Sequence, residues 1–499
     1  AVAAEATAHR IGAEFFAKHR VSELATRDDY WLEAQGRLTE PLRYDVASDR
    51  YLPIAWDDAF ALIAQHLNAQ ASPHRALFYT SGRASNEAAF LYQLFVREFG
   101  TNNLPDCSNL CHEASGVAMI EQVGIGKGTV TLEDFEQCDA IFVFGQNPGT
   151  NHPRMLGELR SAARRGCRIV AVNPLRERGL ERFANPQNPR EMLTGGSTAI
   201  ASHYYTPRIG GDLAFLAGMM KGVLARGAED RAFIAAHCSG FEELRNALGA
   251  MSWEDIETES GVSRAQIEEA CEVYCASRAT IFCWGMGITQ HVRSVATIQM
   301  LVNTLLLRGN IGRAGAGPCP VRGHSNVQGD RTMGIYEKPA AAFLDRLRDL
   351  FGFEPPREHG HDAVGAIQAM ERGEIDVFFA LGGNFAAATP DSARTHAALQ
   401  RCTLTAHVST KLNRSHLVHG REALILPCLG RTEIDLQNGQ PQGVTVEDSM
   451  SMVHISTGMN APASDALLSE PSIVAHLAHA ALPASRIDWL HLIGHYDRI

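Results

Sequence analysis

Six times along this chain of 499 residues, a short and largely apolar run breaks into a turn rich in Gly, Asn, Ser or Arg. Residues 76–80 (ALFYT) lead into Ser81-Gly82-Arg83 and a helical pattern from Asn86. Residues 139–144 (DAIFVF) lead into GQNPGTNHP and a helix from Met155. Residues 168–172 (RIVAV) lead into NPLRERG, and 280–284 (TIFCW) into GMGITQH and a helix through Leu307. Residues 376–381 (DVFFAL) lead into GGNFAAATPD and a helix from Ser392, and 404–408 (LTAHV) into STKLNRSH. A strand that is apolar on both faces must be covered on both faces. Such strands alternating with helices therefore dictate an α/β fold of parallel sheets. At this length two to four domains are expected.

Ligands of parallel sheets sit beyond the carboxyl ends of the strands. Here those ends carry glycines, which let backbone N–H groups approach a phosphate closely. So many loops of this kind imply a large nucleotide-like ligand spread over more than one sheet. Two common nucleotide motifs are excluded. GMGITQH contains Gly285 and Gly287 but lacks the third glycine and the later acidic residue of a dinucleotide fingerprint, and GIGKGT (124–129) lacks the spacing of a phosphate loop. The net charge of −11 argues against a nucleic-acid partner, so an anionic ligand must be met by local cations and helix N-termini. No apolar run is long enough to span a membrane. The N-terminal residues do not read as a signal peptide. Eleven scattered cysteines in a chain of this size indicate thiols in a reducing, cytoplasmic setting.

Two stretches carry chemistry. The first, CSNLCHEASG (107–116), holds Cys107, Cys111 and His112. Cys111 can be read as a core thiol, as a nucleophile, or as a thiolate ligand to a soft metal, and the stretch alone does not choose. A closed zinc site would need about four ligands, and no second cysteine pair follows at a suitable spacing. Cys271 and Cys275, one turn apart in a helical pattern, read as core thiols. The second stretch, GPCPVRGHSNVQGDRTMG (317–334), is a long polar loop after the apolar helix 295–307. Its Arg322 can clamp a carboxylate or phosphate with a planar fork.

Taken in order, the Cys-His pair, GQNPGTNHP, NPLR, WGMGITQH, RGNIGRAGAGPCPVRGHSNVQGDRTMG and GGNF followed by PD resemble the catalytic subunits of molybdopterin oxidoreductases. The formate dehydrogenase alpha-subunit-like branch is the nearest likeness. The resemblance runs over essentially the whole chain and is most specific around Arg322. It implies molybdenum or tungsten held by two molybdopterin guanine dinucleotides (bis-MGD), with Cys111 as the protein ligand to the metal. His112 is implied as the group that handles the proton, and Arg322 as the clamp on the carboxylate of a formate-like anion, which is oxidised to CO2 by two electrons. The cofactor cradle is expected among Gly145, Gln146, Asn147, Asn151, Asn173, Arg176, Asp212, Gly285, Gly287, Gln290, Gly383, Asn384, Ser409 and Lys411. Glu113 follows His112 where formate dehydrogenases tend to have Gly, which leaves the substrate open.

The resemblance also implies a [4Fe-4S] cluster near the N-terminus, a C-terminal pterin-binding barrel, and a redox partner that takes the electrons. Neither the cluster's cysteine ligands nor the barrel is read in this chain, so the sequence is expected to be the central piece of a longer protein. Within it, residues 51–123 together with 323–435 are expected to form one α/β cofactor-binding domain and 124–322 a second. Residues 1–50 are expected to be the remnant of an N-terminal domain, and 436–499 a connecting segment. Two other readings remain open: a metal-free structural relative inside a larger redox complex, and a reductase of another small oxyanion.

Overall fold

The computed structural model describes residues 6–499. The chain divides into two compact units. The first comprises residues up to Leu110, His324–Asp448 and Val453–Ile499; the second comprises Cys111–Gly323 and Ser449–Met452.

The second unit is built on a five-stranded, wholly parallel sheet. Across it the strands run His203–Tyr205, Arg168–Val172, Ala140–Phe144, Thr280–Trp284 and Gly317–Pro320. Alternate residues of the central strands point to opposite faces, and both faces are buried. Phe142, Phe144, Val170, Phe282 and Trp284 pack with helices Asp212–Ala225, Arg264–Ala276 and Ser294–Leu307. Ile141, Val143, Ile169, Ile281 and Cys283 pack with helix Met155–Arg165 on the other face. Each fully buried side chain of this kind contributes about 1.5–3 kcal/mol. This accounts for strands that read as unbroken apolar runs.

The strand order decides where a ligand can bind. The chain starts at Ala140–Phe144, moves outward through Arg168–Val172 to His203–Tyr205, then returns to the opposite side for Thr280–Trp284 and Gly317–Pro320. Successive connections therefore diverge between Ala140–Phe144 and Thr280–Trp284. They leave a crevice beyond the carboxyl ends of those two strands.

The first unit holds a six-stranded sheet. Four parallel strands, Ala76–Thr80, Val377–Leu381, Leu404–Ser409 and Glu422–Pro427, pair in that order, and an antiparallel hairpin of Leu42–Asp45 and Arg50–Pro53 closes one edge. Helices Trp56–Asn68, Asn86–Phe99 and Glu470–Ala481 cover the face that carries Phe78, Phe379 and Leu426. Helices Ala363–Glu371 and Ser392–Leu399 cover Tyr79 and Phe378 on the other. A separate three-stranded antiparallel sheet is formed by Asp435–Gln437, Gln440–Glu447 and Val453–Thr457.

Several expectations need correction. Residues 436–499 are not a simple connecting segment: Ile473, Val474 and Leu477 of helix Glu470–Ala481 lie in the core of the first unit. Residues 42–53 are likewise part of its sheet. The division falls between Leu110 and Cys111 rather than near Gly124, because helix Glu113–Val123 packs along Ser294–Leu307. Gly317–Pro320, expected to open a loop, is an edge strand. Proline is tolerated there because one side of the strand has no ladder to donate to. Among the described residues, no disulfide joins any of the eleven cysteines. No helix among the described residues is long and apolar enough to cross a membrane.

Candidate active site

The crevice of the second unit is shaped by glycine. Gly145 follows the first strand of the unit with φ of 53°, and its carbonyl accepts the N–H of Gly287 at 3.0 Å. A Cβ on Gly287 would lie 2.8 Å from the Cα and carbonyl oxygen of Gly145, closer than real Cβ contacts come. The two post-strand loops can meet only because neither residue has a side chain. Beside them Gln146 is buried; its amide nitrogen contacts His152 Nδ1 at 3.2 Å, and its Oε1 has no hydrogen-bond partner.

Cys111 is the last residue of helix Ser108–Cys111, and His112 caps helix Glu113–Val123. The Cys111 thiol lies 3.4 Å from the thioether sulfur of Met286, which stands between Gly285 and Gly287. His112 is 1% exposed and is held by a chain of bonds whose direction can be assigned. Trp284 can only donate through Nε1, and it donates to Ser115 Oγ at 2.9 Å. The Ser115 hydroxyl is then free to donate to His112 Nδ1 at 3.0 Å. His112 Nε2 therefore carries the proton and donates to the Val321 carbonyl at 3.1 Å.

Burial, with the nearby Arg322 charge and against the opposing pull of the Val321 carbonyl, lowers the His112 pKa to about 3. In this arrangement both ring nitrogens are engaged, and burial favours the neutral ring.

Arg322 follows directly on Val321 at the end of the edge strand. It is 8% exposed. Its Nη2 donates to Gly126 O at 3.0 Å, its backbone N–H to Ser449 Oγ at 3.1 Å, and its carbonyl accepts from His152 Nε2 at 3.0 Å. The bond from His112 to Val321 thus ties the Cys111–His112 pair to Arg322 across more than two hundred residues of sequence.

The remaining expected residues divide by what their side chains already do. Asp212 opens helix Asp212–Ala225, is 7% exposed, and has an Oδ1 without a hydrogen-bond partner; burial raises its pKa to about 7. Arg176 reaches out over the Tyr204 ring and pairs with Glu181 at 3.3 Å. Asn151 and Gln290 are exposed at their loops. Asn147 caps its own turn through Thr150 N–H and donates to Glu177, and Asn173 donates to the Leu175 carbonyl, so these two hold their loops in shape.

Gly383, Asn384, Ser409 and Lys411 belong to the first unit. Gly383 has φ of 84°, and its carbonyl accepts from Asn413. Asn384 accepts from the backbone and hydroxyl of Ser415, and Ser409 donates to the Lys411 carbonyl. Lys411 is half-buried and bridged to Arg37. Also in this unit, Cys107 packs in the core with its sulfur accepting Gly82 N–H at 3.0 Å and 3.3 Å from His324 Nδ1.

Sequence reasoning missed Ser115, Trp284, His152 and Met286. Their types are ordinary, and only the tertiary contact gives them a role. His152, in GTNHP, was the one with a visible signal.

Among the described residues no group of three or more His, Cys, Asp or Glu is placed to hold a metal ion. A metal at Cys111 would therefore need its other ligands from a cofactor, and soft sulfur donors would match the thiolate. The glycine-lined crevice and the buried acceptors Gln146 Oε1 and Asp212 Oδ1 fit the donor-rich edges of such a nucleotide-bearing group.

Comparison with known proteins agrees with the geometry. Protein YdeP of Escherichia coli strain K12 is 52% identical over 509 residues, covering all of this chain and 67% of that protein. Formate dehydrogenase H of the same organism is 30% identical over 303 residues, 60% of this chain and 40% of its own length. The fold of acetylene hydratase from Pelobacter acetylenicus superposes with a TM-score of 0.69 at 17% identity, over 92% of this chain and 62% of that one. The chain thus spans about two thirds of YdeP. The molybdopterin oxidoreductase family model matches residues 37–414, and with a cysteine thiol, a buried arginine and a glycine-lined crevice gathered in one unit, the chain belongs to that family.

Proposed function

We propose that this chain is the cofactor- and substrate-binding part of an oxidoreductase that carries molybdenum or tungsten as bis-MGD and oxidises formate, or a closely similar small carboxylate, by two electrons. The family itself implies a molybdenum or tungsten pterin cofactor. The guanine dinucleotide form, the formate-like substrate, a [4Fe-4S] cluster, a redox partner and a cytoplasmic location belong to this proposal. The observation that supports it is the hydrogen bond from His112 to Val321, which links the Cys111–His112 pair to the segment that carries the buried Arg322.

The chain's own groups have separable tasks. Cys111 contributes the single protein ligand. Gly145, Gly285 and Gly287 leave room for backbone N–H groups to approach phosphate, and Arg176 supplies a cation to it. Asp212, an acceptor with an oxygen not used in any hydrogen bond, matches the N–H donors on the edge of guanine. The loops with Gly383, Asn384, Ser409 and Lys411 are the candidate cradle for a second nucleotide. The chemistry supplied by the pterin-held metal is a two-electron redox change. Arg322 holds the substrate carboxylate, its planar fork fixing which way the C–H bond points. Neutral His112 keeps the Val321–Arg322 backbone in register. Burial of both residues keeps water from competing for the carboxylate.

The test is metal and nucleotide analysis of the purified protein, with dye-linked assays on formate and on nitrate. Molybdenum or tungsten, two guanine nucleotides per chain after acid release, and formate-dependent dye reduction are expected. Absence of metal would favour the structural relative, and nitrate-dependent dye oxidation the oxyanion reductase.

A further inference from the structure

Away from the crevice, two cysteines meet at the opposite end of the sheet. Cys138 ends helix Asp134–Gln137 and stands just before strand Ala140–Phe144; Cys167 stands directly before Arg168–Val172. These strands pair in parallel with Ala140 opposite Arg168, and Arg168 N–H donates to the Asp139 carbonyl at 2.9 Å. The backbone therefore delivers both thiols to one spot, with their sulfurs 3.8 Å apart. Arg165 is fixed beside them: its Nη2 donates to the Phe135 carbonyl at 2.9 Å and the Cys138 carbonyl at 3.1 Å, and lies 3.8 Å from Cys138 Sγ.

We infer that Cys138 and Cys167 form a dithiol oxidation site, converted to a disulfide by a hydroperoxide. The pair titrates unequally. The hydrogen bond between the two sulfurs lowers the Cys138 pKa, against burial and with the Arg165 charge, while the same contact and burial raise that of Cys167. Cys138 is thus the thiolate that reacts first. Its sulfur attacks one peroxide oxygen; an S–O bond forms, the O–O bond breaks, and hydroxide leaves. Cys138 is oxidised to sulfenic acid as the peroxide is reduced. Cys167 then attacks the Cys138 sulfur, the S–S bond forms, the S–O bond breaks, and water departs with the Cys167 proton.

The chain carries its own control. Cys271 and Cys275 are also close, at 3.7 Å between sulfurs, but lie one turn apart on helix Arg264–Ala276. Helix geometry keeps such Cβ atoms about 5–6 Å apart, beyond the roughly 3.5–4.5 Å that a disulfide requires. Neighbouring strands impose no such separation on Cys138 and Cys167.

The experiment exposes the purified protein to hydrogen peroxide, quenches in acid, alkylates under denaturing conditions and maps the peptides. The expected result is a Cys138–Cys167 cross-link, two fewer alkylatable thiols, a mass loss of two hydrogens, and reversal by dithiothreitol, with Cys271 and Cys275 still alkylated. In Cys167→Ser no cross-link forms, and a cyclic diketone probe labels Cys138 as sulfenic acid. If both thiols of the wild-type protein remained fully alkylatable after peroxide, or if Cys271–Cys275 cross-linked first, the inference would be overturned. An unlabelled Cys138 in a folded Cys167→Ser variant would overturn the assignment of the attacking sulfur.

Discussion

Asp212 offers a test in which the cofactor-free and cofactor-loaded proteins must respond in opposite directions. The side chain is nearly inaccessible and one of its oxygens has no hydrogen-bond partner, so burial raises its pKa from 3.8 to about 7. Each pKa unit corresponds to about 1.36 kcal/mol, so ionising Asp212 inside the fold costs about 4 kcal/mol. A carboxyl raised in the folded state carries no penalty below the unfolded pKa. The penalty grows between pH 3.8 and about 7 and stays constant above. Asp212→Asn keeps the shape and cannot ionise. In cofactor-free protein the variant should match wild type near pH 4 and exceed its stability at pH 8, by up to about 4 kcal/mol. Urea unfolding of both proteins at pH 4, 6 and 8 reads the difference directly, and other titrating groups cancel in it. With cofactor the sign reverses, because an amide donor now faces the N–H groups of guanine, and the variant should retain less nucleotide. A stability difference that does not change with pH, or an Asn variant that is less stable at pH 8 without cofactor, would refute the reasoning.

Other consequences are more direct. Cys111→Ala should abolish dye-linked turnover and lower metal content. Cys107→Ala should leave most activity, and should lower stability by about 1–3 kcal/mol because the Gly82 N–H loses its acceptor. Both are read by activity assay and urea unfolding. Ser115→Ala breaks the link between Trp284 and His112 and leaves a buried indole N–H unpaired, also at about 1–3 kcal/mol; a histidine nitrogen chemical-shift measurement should then show His112 no longer confined to the Nε2–H tautomer. Arg322→Lys keeps the charge but not the planar fork, so KM for formate should rise in steady-state assays while metal content stays unchanged.

The six strands read from the sequence were legible because the central part of each is buried on both faces. A run such as RIVAV or TIFCW admits few other placements, and its flanking glycines mark the ends. Gly317–Pro320 was illegible for the opposite reason. Two prolines in four residues contradict a strand unless it lies at an edge, and edge position is a property of the assembled sheet. Helix Glu470–Ala481 was hidden in the same way, since only packing shows that its apolar face belongs to the first unit's core.

The candidate site follows this division. Residue identity left Cys111 open between core thiol, nucleophile and metal ligand and suggested Arg322 as a planar clamp, and the family resemblance made the choice for Cys111. Sequence by itself also marked the glycines of the crevice, although not that Gly145 and Gly287 touch. The hydrogen-bond environment of His112 was set by the fold alone. A histidine in a sequence is an open titratable group, but burial and the directed chain from Trp284 through Ser115 to the Val321 carbonyl fix it as a neutral Nε2–H tautomer. Local sequence sets what a side chain is able to do. The order of strands, which sends the chain outward and then back across the first strand of the second unit, sets which side chains share a site.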